Sequence, residues 1–324
     1  MNLPLKLAAA ALLLTPATAQ RPAYEAPRHV LPAPLIGTAP SADVAAFANL
    51  GLQIERARDA RGTLAEHRRL QAALTALQPQ RRGTVDAYVV AVALDSDPVF
   101  GREAREAGRV LARRYGAAGR TVTLAGTDGA APSRLPMGSP ANIATTLARV
   151  AELMDAREDV LVLYLTSHGA PIGIVYNDGD QGYGVLAPAW LWRILGELDV
   201  TNRLVMVSAC FSGSFVPMLM SDTTAIVTAS AADRTSFGCQ ADSDWTFFGD
   251  ALINQALRKP QPLREAVDEA RRSIAGWEAK GKLEPSGPQV SIGAGTARWL
   301  AAIERGLPGA TPPVGRPAIT QLDE

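Results

Sequence analysis

Cysteine, histidine and aromatic residues are scarce in this chain of 324 residues. It contains two cysteines, three histidines and 6% aromatic residues, whereas 47% of its residues are hydrophobic. The cysteines and histidines lack the CxxC, HxxxH and HExxH spacings of zinc sites, so we predict no metal and no other cofactor. The high apolar content excludes a disordered chain, and the low aromatic content favours helices packed on a sheet over an all-β sandwich.

The chain also lacks a surplus of either charge, because 32 Lys and Arg residues balance 32 Asp and Glu residues. Nucleic-acid-binding proteins need a basic excess to neutralise phosphates, so we expect no nucleic-acid partner. No apolar run reaches the roughly 18 residues that a membrane-spanning helix requires. The composition therefore predicts a globular α/β protein without a membrane span.

The amino terminus has the three parts of a secretory signal. Lys6 precedes an apolar run from Leu7 to Leu14, and Ala17-Thr18-Ala19 supplies small residues for cleavage. The sequence therefore predicts a signal peptide over residues 1–19 and a periplasmic or secreted protein. Residues 20–42 are rich in proline, which predicts an extended lead-in to the folded protein.

The rest of the chain divides into three parts. Apolar residues at helical spacing predict a helical segment over residues 43–82, with one helix broken near Gly62 or a helical hairpin. Residues 84–305 alternate apolar β-rich runs with helical stretches, which is typical of a parallel sheet covered by helices on both faces. The proline-rich tail over residues 306–324 is predicted to be unstructured.

We predict five strands and six helices in the region of residues 84–305. The strands are 85–94, 121–124, 160–165, 204–207 and 225–227, and the helices are 102–115, 141–155, 188–198, 211–220, 245–258 and 263–280. Open α/β sheets collect their functional residues beyond the carboxyl ends of the strands.

A histidine and a cysteine follow two consecutive strands of this predicted sheet. His168 and Gly169 come after strand 160–165, and Cys210 comes after strand 204–207. If the strands are neighbours, the two side chains form a Cys/His dyad, with Cys210 at a helix N-terminus that favours its thiolate. The main-chain N–H groups of Gly169 and Cys210 can form an oxyanion hole, so the sequence predicts acyl transfer.

Four ordered segments resemble the legumain family of cysteine peptidases. They are TSHG, SACFSG, TASAADRTSFGC and WTFFGDAL, which lie between residues 166 and 252. The resemblance covers about residues 84–260 and implies a caspase-like three-layer α/β/α sandwich. It also implies a peptide or protein substrate, with His168 as general base and Cys210 as nucleophile of an endopeptidase.

The resemblance further implies a pocket for the residue before the scissile bond (P1), lined by Arg102, Ser208, Ser236 and Asp250. A cation and an anion together suit a carboxamide, so cleavage after Asn is expected, with Asp accepted better at low pH. Legumains have an acidic residue where this chain has Ser208, which gives this pocket a different charge. The asparagine that orients the legumain histidine has no clear match, and Asp95 and Asp97 are the nearby candidates.

Two other interpretations stay open at this point. In one, the scaffold is an inactive binding module in which Cys210 and Cys239 form a disulfide, as an oxidising compartment permits. In the other, the same dyad serves a thioester-forming acyltransferase. A peptidase whose acyl-enzyme is resolved by an amine instead of water would also act as a transpeptidase.

The signal peptide gives the first testable prediction. We expect the mature protein recovered from the exporting cell to lack residues 1–19, because the small residues at 17–19 form a cleavage site. Intact-mass measurement of the secreted or periplasmic fraction checks this. A mass that includes Met1 in that fraction would contradict it.

Overall fold

The computed structural model describes residues 41–126 and 134–322. The predicted signal peptide, and the proline-rich lead-in as far as residue 40, lie outside the described residues. Within the described ranges the strands are β1 (Gln53–Glu55), β2 (Ala87–Ala93), β3 (Thr121–Leu124), β4 (Val160–Thr166), β5 (Gly169–Ala170), β6 (Gly173–Asp178), β7 (Gly182–Leu186), β8 (Arg203–Ser208), β9 (Thr224–Thr228) and β10 (Gln289–Ile292). The α-helices there are α1 (Ser41–Leu50), α2 (Ala60–Thr75), α3 (Pro98–Arg114), α4 (Pro140–Leu153), α5 (Pro188–Glu197), α6 (Val216–Leu219), α7 (Leu263–Gly281) and α8 (Thr296–Ile303).

A six-stranded sheet forms the centre of the protein, with the order β10-β9-β8-β4-β2-β3. Its strands are parallel except β10, which pairs antiparallel with β9. Every residue of β2, β4, β8 and β9 is buried, as expected of strands covered on both faces. The predicted α/β class with a mainly parallel sheet is therefore confirmed.

Helices cover both faces of this sheet and complete the three layers. One apolar core contains side chains of α2, α4 and α5. The core on the opposite face contains side chains of α3, α7 and α8. The predicted α/β/α sandwich is confirmed, and β2, β4 and β8 end at one edge between the two layers.

The amino-terminal segment differs from its prediction in where the helices break. The break lies between α1 and α2, and Gly62 instead sits in the first turn of α2, where its N–H donates to the Asp59 carboxylate at 2.7 Å. Gly51 ends α1 with φ +75°, a conformation that glycine adopts at little cost. Between the helices, β1 pairs antiparallel with β7 in a smaller sheet of β1, β7, β6 and β5, so this segment packs on the region of residues 84–305.

Three further differences concern the carboxyl-terminal half. The helix predicted at 211–220 is a 3₁₀ turn at Ser212–Phe215 followed by the single turn of α6, because Gly213 and the proline at position 217 do not propagate a longer helix. The helix predicted at 245–258 contains a π-helix over Gly249–Gln255. Strand β10 and helix α8 were not predicted from the sequence.

The proline-rich tail that the sequence predicts to be unstructured packs on the body of the protein. Its main-chain N–H groups at residues 311, 314, 316 and 318 each donate to an acceptor outside the tail. A 3₁₀ turn follows at Ala318–Leu322, and Ala318 is fully buried. The prolines remove donors that would need partners, and these four main-chain donors find theirs on the body.

Candidate active site

The parallel pairing of β4 with β8 brings the predicted histidine and cysteine together. Thr166 and Ser208 are partners in the register of the two strands, and His168 and Cys210 each lie two residues beyond them. A Cβ atom on Gly169 would lie 2.0 Å from the Cys210 carbonyl oxygen, so the two main chains are in direct contact. Only glycine allows this approach at position 169.

His168 is held by groups from the loop after β2 and the start of α3. Its Nε2 lies 3.2 Å from Asp97 Oδ2, and the Phe100 ring meets the imidazole edge-on at 4.9 Å between centroids. Asp95 in turn accepts a hydrogen bond from the Asp97 main chain at 2.8 Å. Of the two candidates that the sequence offered for orienting the histidine, the structure places Asp97 on the ring.

The surroundings of His168 favour its charged form. Burial alone lowers the pKa of the imidazole, but the hydrogen bond to Asp97, the nearby Cys239 thiol and the charge of Asp95 together raise it to about 10. The ring therefore carries its proton at neutral pH.

Cys210 is half-buried and faces the segment after β9. Its Sγ accepts a hydrogen bond from the Ser236 main-chain N–H at 3.3 Å and lies 3.7 Å from the Ser236 hydroxyl. The predicted stabilisation by a helix N-terminus needs correction, because only a short 3₁₀ turn follows Phe211, which itself has φ +58°. The observed donor to the sulfur is Ser236, one of the predicted site residues.

Cys239 is a second thiol at this site, and the sequence assigned it no role beyond a disulfide. It interacts with the His168 ring and packs on the small apolar cluster that includes Val99 and Phe100. Both cysteines are free thiols in the structure. The described chain therefore presents the reduced pair and not the disulfide of the inactive-module interpretation.

Arg102 lies one turn along α3 from the residues that hold His168, and it faces the loop over residues 241–244. Its guanidinium donates to the carbonyl oxygens of Ala241, at 2.8 Å, and Ser243. Its Nε lies 3.5 Å from Asp244 Oδ1. Burial lowers the pKa of Arg102 despite the neighbouring Asp244, yet the group stays charged because arginine deprotonates only far above neutral pH.

The acidic side chain beside Arg102 is Asp244, whereas Asp250, which the resemblance assigned to the pocket, has other partners. The Asp250 carboxylate is buried and accepts hydrogen bonds from the Asn254 side chain at 2.8 Å and the Ala318 main chain at 2.7 Å. Asp250 lies in the π-helix and binds the carboxyl-terminal tail. The sequence missed Asp244, although its position beside Trp245 in the fourth legumain-like region offered a signal.

Ser208 is buried beneath the site instead of lining an open pocket. Its hydroxyl lies 3.0 Å from the Thr246 hydroxyl, and only 2% of the residue is exposed. The Ser208 hydroxyl thus contacts Thr246, two residues beyond Asp244.

Glu103 connects these elements from the centre of the molecule, and no sequence motif predicted it. Its fully buried carboxylate accepts hydrogen bonds from Tyr164 Oη at 2.6 Å, Thr166 Oγ1 at 2.8 Å and the Thr246 main chain at 2.9 Å. Burial and the adjacent Glu103 charge raise the pKa of Tyr164, which keeps its hydroxyl a donor. Gly249 lets the π-helix approach, since a Cβ there would lie 2.1 Å from Glu103 Oε2.

Comparison with known proteins identifies the region that carries the dyad. Residues 140–294 match the model of the Peptidase C13 family. The legumain-like resemblance is thereby confirmed, and the match supports a cysteine peptidase. The matched residues include His168, Cys210, Ser236 and Asp244, whereas Asp97 and Arg102 precede them.

Two other comparisons add little to this match. No curated protein matches the chain. Among solved structures, caspase-1 from Spodoptera frugiperda is similar at 14% identity and a TM-score of 0.43, over 66% of this chain and 92% of that one. In the described residues, no helix is long and apolar enough to cross a membrane, and no group of three or more potential ligands is placed to hold a metal ion.

The Asp97 contact predicts how His168 titrates. In Asp97→Asn, we expect the pKa of His168 to fall from about 10 towards its ordinary value of about 6.5, because a charged hydrogen-bond acceptor is lost. Titration of the imidazole resonances by NMR measures this.

The same interaction has a defined effect on stability. Since the folded-state pKa exceeds the ordinary one, the contribution of His168 is complete below about pH 6.5 and is lost as pH rises through about 10. The difference in unfolding free energy between wild type and Asp97→Asn should therefore shrink over that range. A His168 pKa that is unchanged in Asp97→Asn would contradict this account.

Proposed function

We propose that the protein is a cysteine endopeptidase in which Cys210 is the nucleophile and His168 exchanges protons with the substrate. The observation that carries this proposal is the contact between the His168-Gly169 segment and the Cys210 main chain beyond the paired ends of β4 and β8. The Peptidase C13 match supports the same reaction class.

The first half of the reaction transfers the acyl group of the substrate to Cys210. The Cys210 thiolate attacks the carbonyl carbon of the scissile bond, and the resulting oxyanion accepts hydrogen bonds from the main-chain N–H groups of Gly169 and Cys210. The His168 imidazolium then donates its proton to the leaving amine as the C–N bond breaks. The acyl group remains on the Cys210 sulfur as a thioester.

The second half uses the now neutral His168 as a general base. It takes a proton from water, whose oxygen attacks the thioester and releases the acid and the Cys210 thiolate. An amine that enters in place of water would form a new peptide bond, which is the transpeptidase activity that we propose alongside hydrolysis. Asp97 keeps the imidazole oriented through both halves.

We propose a specificity pocket for the P1 residue bounded by Arg102, Asp244 and Ser236. The guanidinium and the carboxylate present donors and acceptors together, which suits the carboxamide of asparagine. An Asp side chain at P1 offers both a donor and an acceptor only when it is protonated, so cleavage after Asp should increase at low pH. We also propose that the enzyme acts outside the cytoplasm, after export through residues 1–19.

The two free thiols allow a sharp test of the nucleophile. We expect Cys210→Ala and His168→Ala each to reduce kcat/KM by at least about a thousandfold, because loss of one member of a catalytic unit costs nearly as much activity as loss of the whole unit. Cys239→Ala, which removes a thiol from the same site, should retain activity within about tenfold of wild type. Peptide hydrolysis assays measure both, and circular dichroism checks that the variants fold. An inactive Cys239→Ala beside an active Cys210→Ala would reverse the assignment.

Asp244 gives the test of specificity. Asp244→Asn should reduce kcat/KM for substrates with Asn at P1 by about ten- to a hundredfold, the loss of one charge-assisted hydrogen bond. Asp242→Asn alters an exposed side chain of the same loop and is the matched control, with activity close to that of wild type. A peptide library measures the P1 preference, and a wild-type profile dominated by Arg or Lys would point to an acidic pocket of the gingipain type.

A further inference from the structure

The carboxyl-terminal strap, which we define as residues 308–322, reaches the proposed specificity pocket. Arg316 donates its main-chain N–H to Asp244 Oδ2 at 2.7 Å, while Asp244 Oδ1 faces Arg102 Nε at 3.5 Å. The strap thus binds one oxygen of the Asp244 carboxylate, and Arg102 of α3 faces the other oxygen. The Arg316 guanidinium also donates to the Asp242 carbonyl oxygen at 2.7 Å, in the loop whose other carbonyls bind Arg102.

The strap is anchored on both sides of this contact. Upstream, Asn254 bonds the main chain of Val314 through both of its amide atoms, and Trp245 Nε1 donates to the same carbonyl at 2.8 Å. Downstream, the Ala318 N–H donates to the buried Asp250 carboxylate. Arg316 is therefore held between fixed points, which makes its N–H a fixed donor for Asp244.

Gly315 shows how closely the strap is fitted to Asp244. It has φ +75°, and a Cβ atom there would lie 3.0 Å from Asp244 Oδ2 and 3.2 Å from Trp245 Nε1. Gly309, in the same strap, has open space around its Cα. Of these two glycines, only Gly315 is closely packed, and it is the one that faces the Asp244 carboxylate.

We propose that the strap is a specificity-determining element, which positions the Asp244 carboxylate for the P1 side chain through the Arg316 N–H and the Gly315 turn. Arg316 and Gly315 are positioning residues and do not touch the reacting atoms. Without the strap contact, the Asp244 side chain can rotate away from Arg102, and the pocket loses its paired acceptor. This inference rests on the pocket that is proposed above.

The test compares Gly315→Ala with Gly309→Ala, two identical changes in the full-length chain. Gly315→Ala should raise KM for Asn substrates by roughly tenfold and reduce the Asn-to-Ala P1 preference by a similar factor, since misplacement of a binding group costs about that much. Gly309→Ala should match wild type in KM and in P1 preference. The alkylation rate of Cys210 by iodoacetamide should be unchanged within about twofold in both variants, because this small reagent does not need the P1 pocket.

A second variant covers the case in which Gly315→Ala does not fold. Asn254→Ala releases Val314 without touching Asp244 and should shift the P1 preference in the same direction. A wild-type P1 preference in folded Gly315→Ala or Asn254→Ala would overturn the role of the strap. If that result came with a strong effect of Asp244→Asn, the proposed pocket would stand. If Asp244→Asn also left the P1 preference unchanged, both the proposed pocket and the proposed role of the strap would be contradicted.

Discussion

The parallel register between β4 and β8 is the constraint on which the rest of the site depends. It sets Thr166 beside Ser208, so the next residues of the two strands emerge at the same edge. Gly169 then permits a main-chain contact with Cys210 that any side chain would block. A one-residue slip would exchange the faces of every side chain in the strand and separate the dyad.

The buried Glu103 carboxylate ties the specificity side of the site to this register. Its oxygens accept hydrogen bonds from the Tyr164 and Thr166 hydroxyls of β4 and from the Thr246 main-chain N–H, which lies in the loop that carries Asp244. A buried carboxylate is costly unless hydrogen bonds satisfy it, and here three donors do so. The arrangement positions α3, which supplies both Phe100 against His168 and Arg102 beside Asp244, relative to the strands that supply the dyad.

The sequence predicted the sheet well, and it placed His168 and Cys210 at one edge of that sheet, because both inferences depend on local signals. Long apolar runs indicate buried parallel strands, and a histidine and a cysteine just after such runs must meet at the sheet edge. Asp97 could be named only as one of two candidates, because the choice depends on how the loop after β2 folds. The presence of Cys239 beside His168 depends on the same tertiary contacts.

The strap and the acidic side of the pocket could not be predicted for a related reason. Four prolines between residues 308 and 317 indicate an unstructured tail when their neighbours are unknown, but the acceptors that order it lie about 60 to 70 residues earlier in the chain. Asp244 and Asp250 lie only six positions apart, and both suit a pocket by residue type. The π-helix turns Asp250 towards the strap and leaves Asp244 for Arg102.

The claim that Cys210 is the nucleophile of this site is tested most directly by covalent labelling. A peptide with Asn at P1 and a chloromethyl ketone in place of the scissile bond should alkylate one thiol per molecule, as the sulfur displaces chloride, and proteolytic mapping by mass spectrometry should find the label on Cys210. In the Asp244→Asn variant, this labelling should be slower but should still occur on Cys210. Labelling of Cys239 while Cys210 stays free would contradict the account.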